Sequence, residues 1–314
     1  MSKKRLAAGV AVVLAVATFA AVLSASAGAR PVRTQGSVKL GFITKFPVDF
    51  YFTLVGGAKS WNKSHKNVSI IYAQGKAATD DAGEIAAIQN MIASGVKGIA
   101  ITPTSPAVIP ALNKAVSAGI KVVLMDNDLP TWKAKSSVVA TNNLKGGVLA
   151  GQFLAARLQA GASLGILEGV PGVPALDDRV TGMLAGLGAK KSQIKIVSKL
   201  ETDCDQTKGA QAAQTMLTAN PNLTAIYSAC GPPALGAIQS IKNAGAKGIT
   251  LVGFDGSPGE ITAIKAGTEA ASVAQHPAKI GSLGIATLYN AVLGKKVQRN
   301  VDTGTTLITA QNAK

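Results

Sequence analysis

The fold is decided by two stretches of sequence, ALNKAVSAGIKVVLMD at residues 111–126 and AIQSIKNAGAKGITLVGFD at residues 237–255. In each stretch a helical segment closes at an Ala-Gly pair, as helices commonly do. An apolar run typical of a buried strand follows, and each run ends at an acid, Asp126 or Asp255. The repetition predicts two similar halves, each with a strand that ends in a carboxylate.

The same unit, an apolar run followed by an Ala-rich helical stretch, recurs along the chain. Apolar strands that alternate with helices predict a parallel sheet covered on both faces. Ten such runs are too many for one compact sheet in 314 residues, so the predicted fold class is α/β with two sheets. The predicted strands are 38–44, 69–74, 98–104, 121–127, 136–141, 163–169, 194–201, 223–229, 249–256 and 271–276.

The chain is expected to cross between the two halves three times, near Thr141, His276 and Val301. Ligands of open parallel sheets bind outside the carboxyl ends of the strands. Asp126 and Asp255 are therefore expected on opposite walls of a cleft that closes about a hinge. The predicted boundaries are a signal peptide at 1–29, an N-terminal lobe at 37–140 plus 276–300, and a C-terminal lobe at 141–275 plus 301–314.

The start of the chain has the pattern of an export signal. Basic residues precede an apolar run at residues 6–23, and small residues continue to Ala29. This order predicts a secretory signal peptide cleaved after Ala27 or Ala29, and so a periplasmic or secreted protein. A single transmembrane anchor of similar length is the alternative.

Composition argues against catalysis and against nucleic-acid binding. The 32 basic residues outnumber the 16 acidic ones, but the lysines are scattered and have no interleaved aromatics, which indicates surface charge. The only histidines are His65 and His276, and neither a nucleophile elbow nor a phosphate loop occurs, so we expect no enzyme activity, cofactor or metal. Two cysteines, Cys204 and Cys230, leave open one disulfide or two unpaired residues.

Aromatic residues crowd into the segment after the first predicted strand. Phe50 and Tyr51 lie there, at the carboxyl end of the strand. A flat ring can pack against the C–H face of a sugar while carboxylates and guanidinium groups bind its hydroxyls. The alternative is that these rings fill the core between the lobes.

Several short motifs carry a family resemblance: FYFTL at 50–54, TPT at 102–104, NN at 142–143, GFDG at 253–256 and AQ at 274–275. In this order they resemble the periplasmic sugar-binding proteins of the ribose-binding type. These are ABC transporter substrate-binding proteins and transport relatives of the lactose-repressor core. The resemblance implies the type I periplasmic binding protein fold, with two flavodoxin-like (Rossmann-like) lobes of parallel sheets joined by a three-strand hinge.

The resemblance also implies a binding site. The family's positions fall on Phe50, Tyr51, Asp126, Arg179, Asp255 and Gln275. Asn127 stands where ribose binders place an Arg and is therefore also an expected ligand-binding residue, and Cys204 and Cys230 replace an aromatic residue and an Asn. These departures argue against ribose itself. They also imply a Cys204–Cys230 disulfide on one wall of the site.

A second resemblance concerns the ligand. Residues 45–53 and 125–128 are similar to those of autoinducer-2 binding relatives, which use a Lys and an acid at the positions of Lys45 and Asp126. Lys45 therefore joins the expected ligand-binding residues, and a signal-binding protein is an alternative function.

The expected function is an extracytoplasmic solute-binding protein that captures a small sugar or polyol by lobe closure and delivers it to an ABC importer. Its expected partners are that ligand and the ABC transporter permease. We expect a monomer that reaches the membrane only through the importer. Further alternatives are a transcription regulator, which needs an N-terminal helix-turn-helix, and a secreted hydrolase or isomerase with Asp126 or Asp255 as base.

Overall fold

The structure is a computed structural model that describes residues 37–314. The predicted signal peptide at residues 1–29 lies outside the described residues. Among the described residues, no helix combines the length and the apolar character needed to cross a membrane.

Strands and helices alternate through almost the whole described chain. The strands are β1 (Val38–Thr44), β2 (Val68–Gln74), β3 (Gly98–Ile101), β4 (Lys121–Met125), β5 (Ser137–Ala140), β6 (Ser163–Glu168), β7 (Lys195–Glu201), β8 (Ala225–Ser228), β9 (Thr250–Asp255), β10 (Ala271–Ala274), β11 (Asn300–Asp302) and β12 (Thr306–Thr309). The helices are α1 (Asp49–Lys63), α2 (Asp81–Ala93), α3 (Ile109–Ser117), α4 (Asn143–Arg157), α5 (Pro174–Gly186), α6 (Gln206–Ala219), α7 (Gly231–Asn243), α8 (Pro258–Lys265) and α9 (Pro277–Val292).

The strands form two six-stranded sheets with matching strand orders. The first sheet runs β11-β5-β4-β3-β1-β2, and the second runs β12-β10-β9-β8-β6-β7. Every pair in the first sheet is parallel, whereas the second has one antiparallel pair, β10 with β12. The α/β fold of two lobes, each a sheet with its helices, is therefore confirmed. The two quoted stretches occupy equivalent places, because β4 and β9 stand third in each order.

Both sheets are covered on both faces, which explains the apolar runs in the sequence. Helices α1 and α9 pack on one face of the first sheet, while α2 and α3 pack on the other. Helices α4 and α5 cover one face of the second sheet, and α6 and α7 cover the opposite face. The four helix-to-sheet cores leave the carboxyl ends of the strands free to carry a site.

The chain passes between the sheets after β5, after β10 and after β11. The last crossing lies a few residues later in the chain than predicted, because the predicted C-terminal lobe resumed at residue 301. Val301 and Asp302 pair with Val139 and Ala140 of β5, so both residues lie in the first lobe. The parallel ladder with β5 extends to Asp302, and the chain enters the second sheet at β12.

Two strands were absent from the sequence prediction. Strand β11 has only three residues, and β12 has four. Each lies at the edge of its sheet and carries polar residues, so neither shows the continuous apolar run of the buried strands.

Candidate ligand-binding site

A cavity of about 880 Å³ is lined by residues that follow the carboxyl ends of strands in both sheets. Its volume falls within the range of small-molecule sites. The structure brings all eight predicted ligand-binding residues together on its wall. They are Lys45, Phe50, Tyr51, Asp126, Asn127, Arg179, Asp255 and Gln275.

Asp126 is the acid of the first lobe, directly after β4. Its backbone is left-handed, with φ of 63°, and its side chain is buried. The Tyr51 hydroxyl donates a hydrogen bond to Asp126 Oδ2 at 3.1 Å. Burial raises the pKa of the Asp126 carboxyl, while the positive charges of Arg179 and Lys45 oppose that rise. The site therefore holds a carboxylate that is only partly compensated within the protein.

Lys45 follows β1 and is buried beside this acid. Burial lowers the pKa of the Lys45 ammonium, and the nearby Asp126 and Glu84 carboxylates limit the shift. Glu84 accepts hydrogen bonds from the Thr104 amide at 2.6 Å and the Thr104 hydroxyl at 2.7 Å. Burial raises the pKa of Glu84 to about 7. The first lobe thus supplies a buried amino group and a buried carboxylate to the same cavity.

The aromatic rings of the first lobe pack edge to face. Tyr51 lies 5.2 Å from Phe50 and 5.4 Å from Phe46, measured between ring centroids. All three line the cavity, whereas Phe52 does not and is largely exposed. Tyr51 is buried in the first-lobe core and reaches the site through its hydroxyl, so Phe50 and Phe46 are the rings with accessible surface.

Arg179 on α5 is the centre of a buried network in the second lobe. Its Nε donates to Asn143 Oδ1 at 2.8 Å, and its Nη1 donates to the Ala229 carbonyl at 2.9 Å and to Asp255 Oδ1 at 3.2 Å. The guanidinium lies 4.0 Å from the centroid of the Phe254 ring. No residue in 37–314 accepts a hydrogen bond from Nη2, which leaves that nitrogen available to a ligand.

Asp255 ends β9 and, like Asp126, has a left-handed backbone, with φ of 110°. It accepts hydrogen bonds from the Gly231 amide at 2.9 Å and from Gln275 Nε2 at 2.7 Å, in addition to Arg179. Gln275 Oε1 is buried and has no hydrogen-bond partner among the described residues. Buried polar atoms are normally paired, so this oxygen is a candidate ligand acceptor.

Asn127 lies beside Asp126 and is also buried. The only hydrogen bond of its side chain within residues 37–314 runs from Nδ2 to the Pro103 carbonyl at 3.5 Å, which is long for such a contact. The amide is therefore loosely held by the protein.

The predicted disulfide is confirmed: Cys204 is bonded to Cys230, with their Cα atoms 5.5 Å apart. Cys204 follows β7 and Cys230 follows β8, and both line the cavity. The bond therefore joins two loops on one wall of the site.

Comparison with known proteins identifies the family. Residues 40–296 match the family described as "periplasmic binding protein domain". The chain belongs to this family. A similar relative is the ribose import binding protein of Bacillus subtilis, 33% identical over 254 residues, which are 80% of this chain and 80% of the relative.

Solved periplasmic binding proteins have the same architecture. A solute-binding protein from Actinobacillus succinogenes with bound D-allose has a TM-score of 0.80 and 26% identity, and the match covers 88% of this chain and 98% of that one. A solute-binding protein from Mycobacterium smegmatis with bound glycerol has a TM-score of 0.82 and 28% identity. The match covers 88% of this chain and 96% of that one. These comparisons confirm the type I periplasmic binding protein fold.

Backbone strain in this family member is concentrated at the cavity. Within residues 37–314, the non-glycine residues with left-handed backbone are Asp126, Asp203, Cys204 and Asp255, and all four line the cavity. Such conformations cost about 1–3 kcal/mol each and persist where function or packing requires them. The two acids and the disulfide loop are thus held by the surrounding fold in conformations they would otherwise avoid.

Sequence reasoning missed three residues that support the site. Asn143 accepts from Arg179, Phe254 lies under the guanidinium, and Glu84 lies behind Lys45. Asn143 and Phe254 fall inside the quoted NN and GFDG motifs, so a signal was present for both. Glu84 offered none, because acids in the first turn of a helix, here Asp81 and Glu84, normally face solvent.

Proposed function

We propose that this protein captures a small sugar or polyol outside the cytoplasm and delivers it to the permease of an ABC importer. The observation that carries the proposal is one cavity lined by Asp126 of the first lobe and by Asp255, Arg179 and Gln275 of the second lobe's side. The names of its relatives agree, since one imports ribose and solved neighbours hold D-allose and glycerol.

The chemistry of the wall fits hydroxyl groups. The Asp126 and Asp255 carboxylates accept hydrogen bonds from ligand hydroxyls, and Arg179 Nη2 donates one. The half-buried ring of Phe50 offers a flat face to the C–H groups of a sugar ring. Five acidic and four basic side chains line the cavity, so its wall favours neither an anion nor a cation and suits a neutral, hydroxyl-rich ligand.

Binding is proposed to close the lobes. A ligand that contacts Asp126 and Asp255 together binds the closed arrangement better than the open one, so it shifts the population toward closure. No covalent step is part of the proposal. The closed, loaded monomer then presents its ligand to the permease, which is its only link to the membrane.

An extracytoplasmic location is part of the same proposal. The signal peptide predicted at residues 1–29 and the Cys204–Cys230 disulfide both support it, because disulfides persist in oxidising compartments.

The experiment is a ligand panel against the mature protein, freed of carried-over ligand by unfolding and refolding. Pentoses, hexoses and polyols are screened by thermal unfolding, and hits are quantified by titration calorimetry. A true ligand stabilises the folded state by RT ln(1 + [L]/Kd), so the unfolding temperature keeps rising with the logarithm of ligand concentration above Kd. Recovery of the unchanged ligand by mass spectrometry tests binding without reaction. A panel that yields no stabilisation, with no small molecule in native mass spectra of fresh protein, rejects the proposal.

A second candidate is a hydroxylated signal molecule of the autoinducer-2 type. The observation that favours it is Lys45, buried on the cavity wall next to Asp126. Including this signal in the panel separates the two. Under the signal hypothesis Lys45→Met abolishes binding of the signal, and no sugar stabilises the wild type.

A further inference from the structure

The three residues from Ala229 to Gly231, here called the β8–α7 segment, touch both charged members of the second-lobe site. The Ala229 carbonyl accepts a hydrogen bond from Arg179 Nη1 at 2.9 Å, and the Gly231 amide donates one to Asp255 Oδ2 at 2.9 Å. Cys230 lies between these two contacts. The place of this one segment therefore affects how the guanidinium and the carboxylate face the cavity.

Hydrogen bonds to neighbouring elements do not hold the middle of the β8–α7 segment. The Ala229 amide still pairs with the Leu167 carbonyl of β6 at 2.9 Å. The Cys230 amide, by contrast, has no hydrogen-bond partner within residues 37–314, and the Ser228 hydroxyl that donates to the Cys230 carbonyl at 2.6 Å is a local contact. The covalent bond to Cys204 therefore ties the middle of the segment to the loop after β7.

The other half of the disulfide is itself firmly seated. Cys204 and the preceding Asp203 both have left-handed backbones, with φ of 56° and 51°, which non-glycine residues keep only where their surroundings require it. The sulfur of Cys204 packs over Gly169, which follows β6. A Cβ placed on Gly169 would lie 3.2 Å from that sulfur and 2.5 Å from Leu176 Cδ1. Cys230 is thus bonded to a partner with little freedom to move.

The opposite side of the β8–α7 segment is in close contact with the end of β9. A Cβ placed on Gly231 would lie 2.5 Å from Glu260 Oε2 and 3.0 Å from the Phe254 carbonyl oxygen. Asp255 follows Phe254 directly, so the segment is pressed against the strand that carries this acid and is bonded to Cys204 on its other side. Loss of the bond allows the segment to relax away from β9, and a hydrogen bond weakens steeply as its geometry worsens.

We infer that the Cys204–Cys230 disulfide is a positioning element of the binding site, which holds the Arg179–Asp255 pair in the orientation that meets a ligand. Its consequence for ligand affinity rests on the proposed function, whereas its effect on the pair does not. Binding groups work when they are held within about 0.5 Å of the productive geometry. A crosslink that only stabilised the fold would leave the contacts of Arg179 and Asp255 as they are.

The ligand-free test is amide hydrogen exchange followed by NMR. It compares the oxidised protein, the same protein reduced with a dithiol, and the variant with Cys204→Ser and Cys230→Ser. The readout is the exchange rate of the Gly231 amide divided by that of the Ala229 amide, because global unfolding exposes both amides whereas local loosening exposes Gly231 first. We expect this ratio to rise at least about 10-fold in both disulfide-free forms, since the bond that protects Gly231 has a charged acceptor.

Gly57→Ala is the matched control, because it destabilises the first lobe and leaves the disulfide in place. A Cβ there would lie 2.0 Å from the Ala278 carbonyl oxygen. Its exchange ratio should equal that of the wild type. Both disulfide-free forms are also made with Gly56→Ala, a position with space for a Cβ, so that a folded sample is retained. An unchanged ratio in folded, disulfide-free protein overturns the inference.

Calorimetric titration with D-ribose, D-allose and glycerol gives the second readout. We expect the Kd of each compound that binds the oxidised protein to rise at least about 10-fold in the disulfide-free forms, and to stay within about twofold in Gly57→Ala. An unchanged Kd in folded, reduced protein overturns the link to binding. Failure of all three compounds to bind the oxidised protein counts against the proposed function alone, because the exchange ratio is measured without them.

Discussion

Asp126 and Asp255 occupy the same position in the two lobes: each directly ends or follows the third strand of its sheet, and each has a left-handed backbone. Both carboxylates line one cavity, although they are 129 positions apart in the sequence (255 − 126). Their local partners differ. Within residues 37–314 the Asp126 carboxylate accepts from Tyr51 alone, whereas the Asp255 carboxylate accepts from Arg179, Gln275 and the Gly231 amide. The second acid is therefore more firmly held before any ligand arrives.

The first prediction concerns these two acids. Asp126→Asn and Asp255→Asn should each weaken the best panel ligand about 10- to 100-fold, because a hydrogen bond to a charged group is worth about 1.5–3 kcal/mol. Calorimetric titration measures the change. Glu201→Gln is the control, since Glu201 ends β7 but is exposed and lies off the cavity wall. Affinities within threefold of the wild type would show that neither carboxylate contacts the ligand.

The second prediction concerns Arg179. Arg179→Met leaves the largely buried Asp255 carboxylate without its cation, and Asn143 Oδ1 and the Ala229 carbonyl lose a donor. We expect the free energy of unfolding to fall by about 3–5 kcal/mol. In the Asp255→Asn background, Arg179→Met should lower the free energy of unfolding by at least about 1 kcal/mol less than it does in the wild type. An interaction energy of this size is typical of contacting residues in a double-mutant cycle. Urea unfolding measures all four proteins. Additive losses would mean that the pair is not coupled.

The third prediction concerns a buried acid pair under the second sheet. Both carboxyls lie against Gly253, where a Cβ would be 2.3 Å from Glu269 Oε1 and 2.5 Å from Glu260 Oε1. The pKa values of Glu260 and Glu269 are both raised. Burial is the larger cause, and the negative charge of another nearby carboxyl is the next. The folded state thus keeps a proton that the unfolded state loses above its ordinary carboxyl pKa. Stability should fall as the pH rises from about 5 to the folded-state pKa, which is about 8 for Glu260 and about 10 for Glu269.

Glu269→Gln tests this linkage, because the amide needs no proton to be buried. Its unfolding free energy should fall less steeply over that range, by up to about 1.4 kcal/mol per pH unit. Urea unfolding at several pH values measures the slope, and exposed Glu201→Gln should keep that of the wild type. If the unfolding free energy of Glu269→Gln falls with pH as steeply as that of the wild type, Glu269 does not keep a proton in the folded state.

The fourth prediction concerns the contact between α1 and α9. A Cβ on Gly57 would lie 2.0 Å from the Ala278 carbonyl oxygen, while one on Gly56 meets nothing within 4 Å. Gly57→Ala should lower the unfolding free energy by about 1–3 kcal/mol through overpacking. Gly56→Ala should raise it by about 0.5–1 kcal/mol through helix propensity. Thermal unfolding of both variants should show that the two substitutions change the free energy of unfolding in opposite directions. A stabilising Gly57→Ala would contradict the close contact between α1 and α9.

The fifth prediction concerns the disulfide. Replacing Cys204 and Cys230 by Ser together should lower the unfolding free energy by about 3 kcal/mol, because the bond closes a loop with a sequence separation of 26. Wild-type protein in reducing agent should match the double variant. Thiol titration of the denatured, unreduced protein should find no free thiol, and two thiols would be incompatible with the bond.

Several features could be predicted because their physical cause is local. Apolar runs such as Leu40–Ile43 predict buried strands, and Asp126 and Asp255 follow such runs directly. Strand β11 could not be predicted, since its three residues are ordered by pairing with β5, more than 150 positions away. Glu84 was missed for a related reason: only the packing of α2 behind Lys45 buries it.

The sequence by itself determined the alternation of strands and helices, the repeated halves and which acids end strands, because periodicity and strand-end position are properties of neighbouring residues. Only the tertiary structure decided that Arg179 contacts Asn143, Ala229 and Asp255, and that Leu176 meets the disulfide over Gly169. These contacts join residues that are distant in sequence. They exist because parallel strands place all their carboxyl ends at one edge of the sheet.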